Sequence, residues 1–237
     1  MFTLRRSFIL ALLVLFAVSS VMGQSSGSNR GSNREMTIEE SYLQESIELM
    51  IIRETSRAEG RDQKLIALEY IGEAIERGNT GKDITQALEY LSLEGILNQS
   101  RENGRLLNNY PDIRRQAAKY LGQLGTEEAK TSLLKLCQYE NEPMVLQEAV
   151  KSLGDIGINN NEETVNMITW VVTKFDNLNP DNILAIATID AFSKFAKNNN
   201  GKLQPEAIRL LIRISEGPYI RPVQDRAKQF LADLRGY

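Results

Sequence analysis

The sequence predicts an all-α fold: an α-solenoid of about five stacked helix pairs, or about ten helices. The stretch 110–125, YPDIRRQAAKYLGQLG, returns 32 residues later at 142–157 as EPMVLQEAVKSLGDIG, with 6 of 16 positions identical. From residue 36 onward, apolar residues recur at steps of three and four, and no segment alternates as a strand does. Because one helix pair of about 35 residues cannot bury its own apolar face, repeated copies indicate a stack with a shared core.

The N-terminus has the order of a secretory signal peptide. Arg5 and Arg6 precede an apolar run at 8–18, which is too short to span a bilayer comfortably as a helix, and small residues follow. We therefore predict a signal peptide over residues 1–23, cleaved before Gln24. An uncleaved membrane anchor is the alternative.

A linker is expected to separate this segment from the folded domain. Residues 24–35 are rich in Ser, Gly and Asn and contain no apolar residue, which predicts a flexible tether. The folded domain should then cover residues 36–237. We expect an exported protein, periplasmic in a bacterium, with no stable membrane insertion after cleavage.

Residues that favour helix ends divide the domain into its elements. Prolines such as Pro111 and Pro143 suit a first turn, where the missing N–H costs nothing, and Gly78 suits the end of a helix. The stretch 99–110 lacks helical periodicity and is predicted to be a loop. The predicted helices cover residues 36–55, 62–77, 83–98, 112–123, 127–138, 144–156, 162–175, 181–197, 205–215 and 221–234.

The second helix of each pair shares three positions spaced by four residues, and the middle position is always small. A small side chain there lets a neighbouring helix approach to roughly 8 Å instead of 10 Å. The five triads are Gln63/Ala67/Ile71, Ile113/Ala117/Leu121, Val145/Ala149/Leu153, Leu184/Thr188/Phe192 and Val223/Ala227/Leu231.

The repeated stretch resembles the second helix of a HEAT repeat. Residues 111–125 carry a proline, an acid, an aliphatic residue, Arg114, and then Ala and Leu-Gly. The copy at 143–157 keeps the proline, Ala and Leu-Gly but has Leu146 in place of the arginine. The resemblance covers about residues 36–237. It implies a HEAT-like solenoid, of a bacterial exported type given the N-terminus, whose second helices line the inner surface.

Composition excludes several kinds of chemistry. The chain has no histidine and one cysteine, so it cannot build a Ser-His-Asp or Cys-His system or a His- or multi-Cys zinc site. We expect no cofactor, no metal and no enzymatic activity. The net charge of −3 would become −5 without residues 1–23, which argues against nucleic acid as a partner. Cys137 lies at helical apolar spacing and is expected to be a small buried hydrophobe.

Basic residues on the second helices are the candidate partner-binding residues. They could form a strip that binds an acidic segment of a protein partner, whose identity the sequence does not give. The alternative is a solvated face with local ion pairs. The candidates are Arg114, Arg115, Lys119, Lys151 and Lys194.

The predicted function is a non-enzymatic protein-binding scaffold, an exported solenoid that presents a curved surface to a protein. The alternative is a structural or assembly component of a cell-envelope machine. A second candidate surface is apolar, because Trp170, Phe192 and Phe195 could form a partner groove if they were not core residues.

Overall fold

The computed structural model describes residues 37–176 and 180–235. The chain divides into two units, Met1–Ile38 and Glu39–Tyr237. The first unit holds the predicted signal peptide and linker, which lie outside the described residues. The second unit carries the helical domain.

The described residues form ten α-helices, one short 3-10 helix (Asn160–Glu162) and one short β-hairpin. The hairpin lies between α3 and α4 and pairs β1 (Arg101–Glu102) with β2 (Arg105–Leu106) in antiparallel register. The helices are α1 (Ile38–Arg57), α2 (Arg61–Glu76), α3 (Lys82–Ser92), α4 (Pro111–Leu124), α5 (Glu127–Tyr139), α6 (Pro143–Ile156), α7 (Glu163–Asp176), α8 (Asn182–Asn198), α9 (Pro205–Glu216) and α10 (Arg221–Leu234).

The helices of the second unit stack in two layers. Helices α2, α4, α6, α8 and α10 contact one another in that order and form what we call the second-helix layer. Helices α3, α5, α7 and α9 contact one another in the same way on the other side. The fold class is therefore confirmed: the domain is an all-α solenoid of HEAT-like helix pairs.

The small middle positions of the second helices lie in the core, as predicted. Ala67, Ala117, Ala149, Thr188 and Ala227 are all 0% exposed. The first triad was partly wrong: its opening residue, a glutamine at position 63, is exposed, and the lysine that follows it is buried instead.

Two repeated glycines bring successive second helices into close contact. A Cβ added to Gly122 of α4 would lie 2.6 Å from the Ser152 Oγ of α6, and one added to Gly154 of α6 would lie 2.7 Å from the Ala191 Cα of α8. Cβ atoms essentially never approach that closely. The Leu-Gly signature of the repeat therefore sets the spacing between repeats.

The segment after α3 differs from the prediction. The helix ends at Ser92 instead of residue 98, because Gly95 has a φ of +73° and its N–H donates to the carbonyl oxygen of Asn98. The predicted loop contains the hairpin, whose tip is Asn103–Gly104 with φ values of +50° and +80°. An Asn-Gly pair with positive φ at both residues favours a two-residue hairpin turn, and this local signal was missed.

Candidate functional site

Arg114, one of the five candidate residues, is not on the surface. Its side chain is 3% exposed, and its Nε donates to Glu140 Oε2 at 2.6 Å. The prediction that Arg114 faces a partner is therefore corrected: burial and the ion pair make it a structural residue. The other four candidates lie at least partly exposed on the second-helix layer.

Arg114 belongs to a buried polar network that holds the segment between α3 and α4. Glu94 is at the centre, with Lys64 Nζ 3.1 Å from its Oε2 and Asn108 Nδ2 donating to its Oε1 at 2.7 Å. The side chains of Lys64 and Glu94 are 1% and 2% exposed. The Lys64 contact is electrostatic, since Oε2 accepts no hydrogen bond within the described residues. Arg114 Nη1 donates to the Glu94 carbonyl oxygen at 3.1 Å.

Three of the candidates line one cleft between α4 and α6, which we call cleft A. Arg115, Lys119 and Lys151 all lie on its walls, as the 32-residue offset between Lys119 and Lys151 predicts. The cleft has a volume of about 410 Å³. Its full lining is Asp112, Arg115, Gln116, Lys119, Met144, Glu148 and Lys151.

Ion pairs neutralise part of the positive charge in cleft A. Glu148, whose side chain is 8% exposed, lies 3.8 Å from Arg115 and 3.2 Å from Lys151. Lys119 has no ion pair among the described residues. Arg115 and Lys151 therefore form local ion pairs, as the alternative predicted. Lys119 is the cation of cleft A whose charge is open to a ligand.

The ion pair between Arg115 and Glu148 belongs to a ladder along the second-helix layer. Each second helix is joined to the next one by an ion pair between an acidic and a basic side chain, and most of these side chains are about half exposed. Such pairs contribute little stability individually, because solvent screens exposed charges. They do fix which side chains face each other. The four pairs are Arg61–Asp112, Arg115–Glu148, Lys194–Asp155 and Arg226–Asp190.

A second cleft, cleft B, lies beside the first and is the more strongly basic of the two. It is lined by residues of α6, α8 and α10, has a volume of about 380 Å³ and contains the fourth candidate, Lys194. Lys151 lies between the two clefts and lines both. The full lining of cleft B is Gln147, Lys151, Ile183, Ile186, Ala187, Asp190, Ser193, Lys194, Lys197 and Arg226.

Sequence reasoning missed two of the cations in cleft B. Lys197 follows Lys194 by three residues on α8, so the two share a helix face, and that spacing could have identified it. Arg226 lies on α10 and lines the cleft only because α10 packs against α8. No local pattern in the sequence signals that placement.

The apolar alternative around Trp170 does not form as a groove. Phe192 and Phe195 are 0% and 4% exposed and belong to the core. Trp170 is 47% exposed, and Lys174 Nζ lies 5.3 Å from the centre of its ring. The three aromatic side chains therefore share no open surface.

Cys137 is buried in α5, as predicted. Burial, with a smaller contribution from the charge of Glu140, raises the pKa of the thiol to about 12. We expect no alkylation of the native protein by iodoacetamide at pH 8 and stoichiometric alkylation in 6 M guanidinium chloride, since the thiolate is the nucleophile. Mass spectrometry before and after unfolding measures this. Rapid modification of the folded protein would contradict the buried position.

Two further features of the described residues bear on the chemistry of the site. No group of three or more His, Cys, Asp or Glu side chains there is arranged to hold a metal ion. No helix among them is both long enough and apolar enough to cross a membrane.

Comparison with known proteins supports the HEAT-like character of the central repeats. The family model for HEAT repeats matches residues 105–174, which contain α4 to α6 and most of α7. No curated protein and no solved structure matches the chain. Residues 105–174 are therefore similar to HEAT repeats, and they form the centre of an all-α solenoid built from HEAT-like helix pairs.

Proposed function

We propose that the protein is a non-enzymatic scaffold whose second-helix layer binds an acidic segment of a protein partner. HEAT repeats commonly mediate protein–protein interactions, which supports this class of function. A solenoid suits the role because its core is independent of the residues on its surface.

The main observation behind this proposal is that two basic clefts lie next to each other on the second-helix layer. Cleft A and cleft B share Lys151 and together expose Lys119 and Lys197, which make no ion pair among the described residues. Unpaired lysines on an acidic protein are available to an external carboxylate. Their attraction would mainly raise the association rate and make it sensitive to salt.

The proposal also includes export of the protein from the cytoplasm. The order of charged, apolar and small residues at 1–23 supports a cleaved signal peptide and a site of action outside the cytoplasm, periplasmic in a bacterium. N-terminal sequencing of the protein recovered from its cells checks this: a start at Gln24 supports it, and an intact Met1 contradicts it.

Site-specific photo-crosslinking in intact cells tests the binding surface. A crosslinking residue at Gln116, inside cleft A, should give a discrete adduct with another protein, identified by mass spectrometry. The same residue at Gln138, an exposed position on α5, is the matched control and should not give that adduct.

Charge reversal then tests whether the two lysines attract an acidic partner. The double variant Lys119→Glu with Lys197→Glu should weaken binding of the identified partner by about three- to tenfold at low salt, and less at high salt. The melting temperature should change by no more than about 2 °C, since neither lysine is buried or paired. Wild-type affinity of this variant at low ionic strength would contradict the proposal.

A further inference from the structure

Helix α1 presents an apolar stripe on the side that faces away from the rest of the domain. The stripe consists of Leu43, Ile47 and Met50, which are 62%, 46% and 52% exposed and whose spacing of four and three residues puts them on one helix face. The other side of α1 holds the helix in place, with Ile52 and Ser56 each 1% exposed. The apolar stripe therefore has no partner among the described residues.

A glutamate continues the apolar stripe at each end. Glu39 lies four residues before Leu43, and Glu54 lies four residues after Met50, so both belong to the outward face of the helix. Glu39 makes no ion pair with a described residue. Glu54 lies 3.5 Å from Arg53, but both side chains are largely exposed, where such a pair is weak. The outward surface of α1 is thus an apolar stripe between two acidic ends.

Cleft B has the complementary composition. Its lining includes apolar side chains of α8, among them Ile183, which is 55% exposed, and Ile186. Three basic side chains of its lining, which we call its basic border, are Lys194, Lys197 and Arg226. Lys197 makes no ion pair among the described residues, whereas Lys194 pairs with Asp155 and Arg226 with Asp190. Both pairs are about half exposed, where such pairs are weak, so an external carboxylate can compete for these cations. Apolar anchors at helical spacing that enter an apolar groove with an oppositely charged border are a recurring mode of helix recognition.

The two surfaces also agree in length. Glu39 and Glu54 are fifteen residues apart, or about 22 Å along the axis of α1. The basic side chains of cleft B come from α6, α8 and α10, and two steps between packed helices amount to about 16–20 Å. The two lengths are therefore similar enough for Glu39 and Glu54 to lie near basic side chains on different helices of cleft B.

We infer that α1 of one copy of this protein binds in cleft B of a second copy. Leu43, Ile47 and Met50 would pack against the apolar side chains that line the cleft, and Glu39 and Glu54 would meet the basic border. The inference rests on the proposed function, in that it takes the second-helix layer as a protein-binding surface, and it names the partner as another copy of the chain.

The contact has to form between two molecules. Within one chain, the Glu48–Arg77 ion pair and the buried Ile52 hold α1 beside α2, which is at the opposite end of the second-helix layer from α10. The donor helix and the acceptor cleft are different surfaces of the same chain. Such a head-to-tail contact leaves one free surface at each end of a dimer, so association continues beyond two copies unless it closes into a ring.

A charge-swap experiment tests the contact with the full chain as it is recovered from the cells that express it. Sedimentation velocity at low salt should show wild-type protein whose mean size grows with concentration. Glu39→Lys with Glu54→Lys, and separately Lys194→Glu with Lys197→Glu, should each weaken self-association more than tenfold, because like charges then face each other.

Mixing the two variants distinguishes a specific contact from general charge effects. The reversed helix of the first variant matches the reversed cleft of the second, and their unaltered surfaces match as well. An equimolar mixture should therefore recover association close to the wild-type level. The matched control for the cleft variant, Arg105→Glu with Lys202→Glu, makes the same change in net charge at exposed sites outside α1 and cleft B and should associate as the wild type does.

Two outcomes would overturn the inference. One is a wild-type protein that stays monomeric up to about 200 µM, a range that detects a Kd of about 100 µM. The other is a mixture of the two variants that remains as dissociated as each variant alone. Either result would show that α1 of a second copy does not bind in cleft B. It would leave the proposed binding function standing, because that function is judged by the partner that is crosslinked at Gln116 in cleft A.

Discussion

Replacing Glu94 by leucine is expected to lower the free energy of unfolding by about 3–5 kcal/mol. The substitution leaves the ammonium group of Lys64, which is 1% exposed, with only the Ser56 carbonyl oxygen as a hydrogen-bond partner, 3.1 Å away. It also removes one of the two acceptors of the Asn108 amide, which then keeps only the Asn98 carbonyl oxygen. Because a buried charge without a counter-charge is costly, one substitution should remove a large share of the total stability. Urea denaturation followed by circular dichroism measures the change.

The double variant Lys64→Met with Glu94→Leu is the control for this prediction. It still removes one acceptor of the Asn108 amide, but it leaves no uncompensated charge, and apolar replacements of a buried ion pair are often tolerated. It should therefore be more stable than Glu94→Leu alone. If the single variant loses less than about 1 kcal/mol, or the double variant is the less stable of the two, the buried pair does not hold this segment in the way the structure indicates.

The variant Gly154→Leu is expected to lose about 3 kcal/mol or more, at the upper end of the range for overpacking. A Cβ at this position would already lie 2.7 Å from the Cα of Ala191 and 2.8 Å from its Cβ. Because one of these atoms belongs to the backbone of α8, rotation of a side chain cannot relieve the contact, and α6 and α8 would have to separate. Thermal or urea denaturation measures the loss.

The aligned position in the last repeat provides a matched control. Ala232 of α10 takes the place of Gly154 in the repeat pattern, but it is exposed and no described helix follows α10. Ala232→Leu should change stability by less than about 0.5 kcal/mol. Equal effects at the two positions would show that the Leu-Gly signature does not set the spacing between repeats.

The candidate site was only partly readable from the sequence. The 32-residue offset correctly placed Lys119 and Lys151 on the walls of one cleft, because a repeat period carries equivalent residues to adjacent positions. The charge of that cleft was only partly predictable, since Glu148 pairs with Lys151 three residues along the same helix but with Arg115 across the boundary between α4 and α6. Arg226 joined cleft B through the packing of α10 on α8, which no local pattern encodes. The binding role of these residues stays a prediction.

The sequence by itself determined the class of fold and the boundaries of most helices. Local chemistry is sufficient for this: apolar residues at helical spacing, proline in first turns and the repeated small residues each act within one helix or between identical neighbours. The absence of histidine from the chain likewise limited the available chemistry through composition alone.

Only the tertiary structure decided which charged residues are buried. Arg114 and Lys64 have charged side chains, and from the sequence alone such residues are expected on the surface. They lie inside because Glu94, 30 residues after Lys64, supplies the counter-charge of Lys64, and Glu140, 26 residues after Arg114, supplies that of Arg114. The carbonyl oxygen of Glu94 also accepts from Arg114 and joins the two pairs. A buried charge is stable only where its partners converge from distant parts of the chain, so the folded arrangement of those partners determines its place.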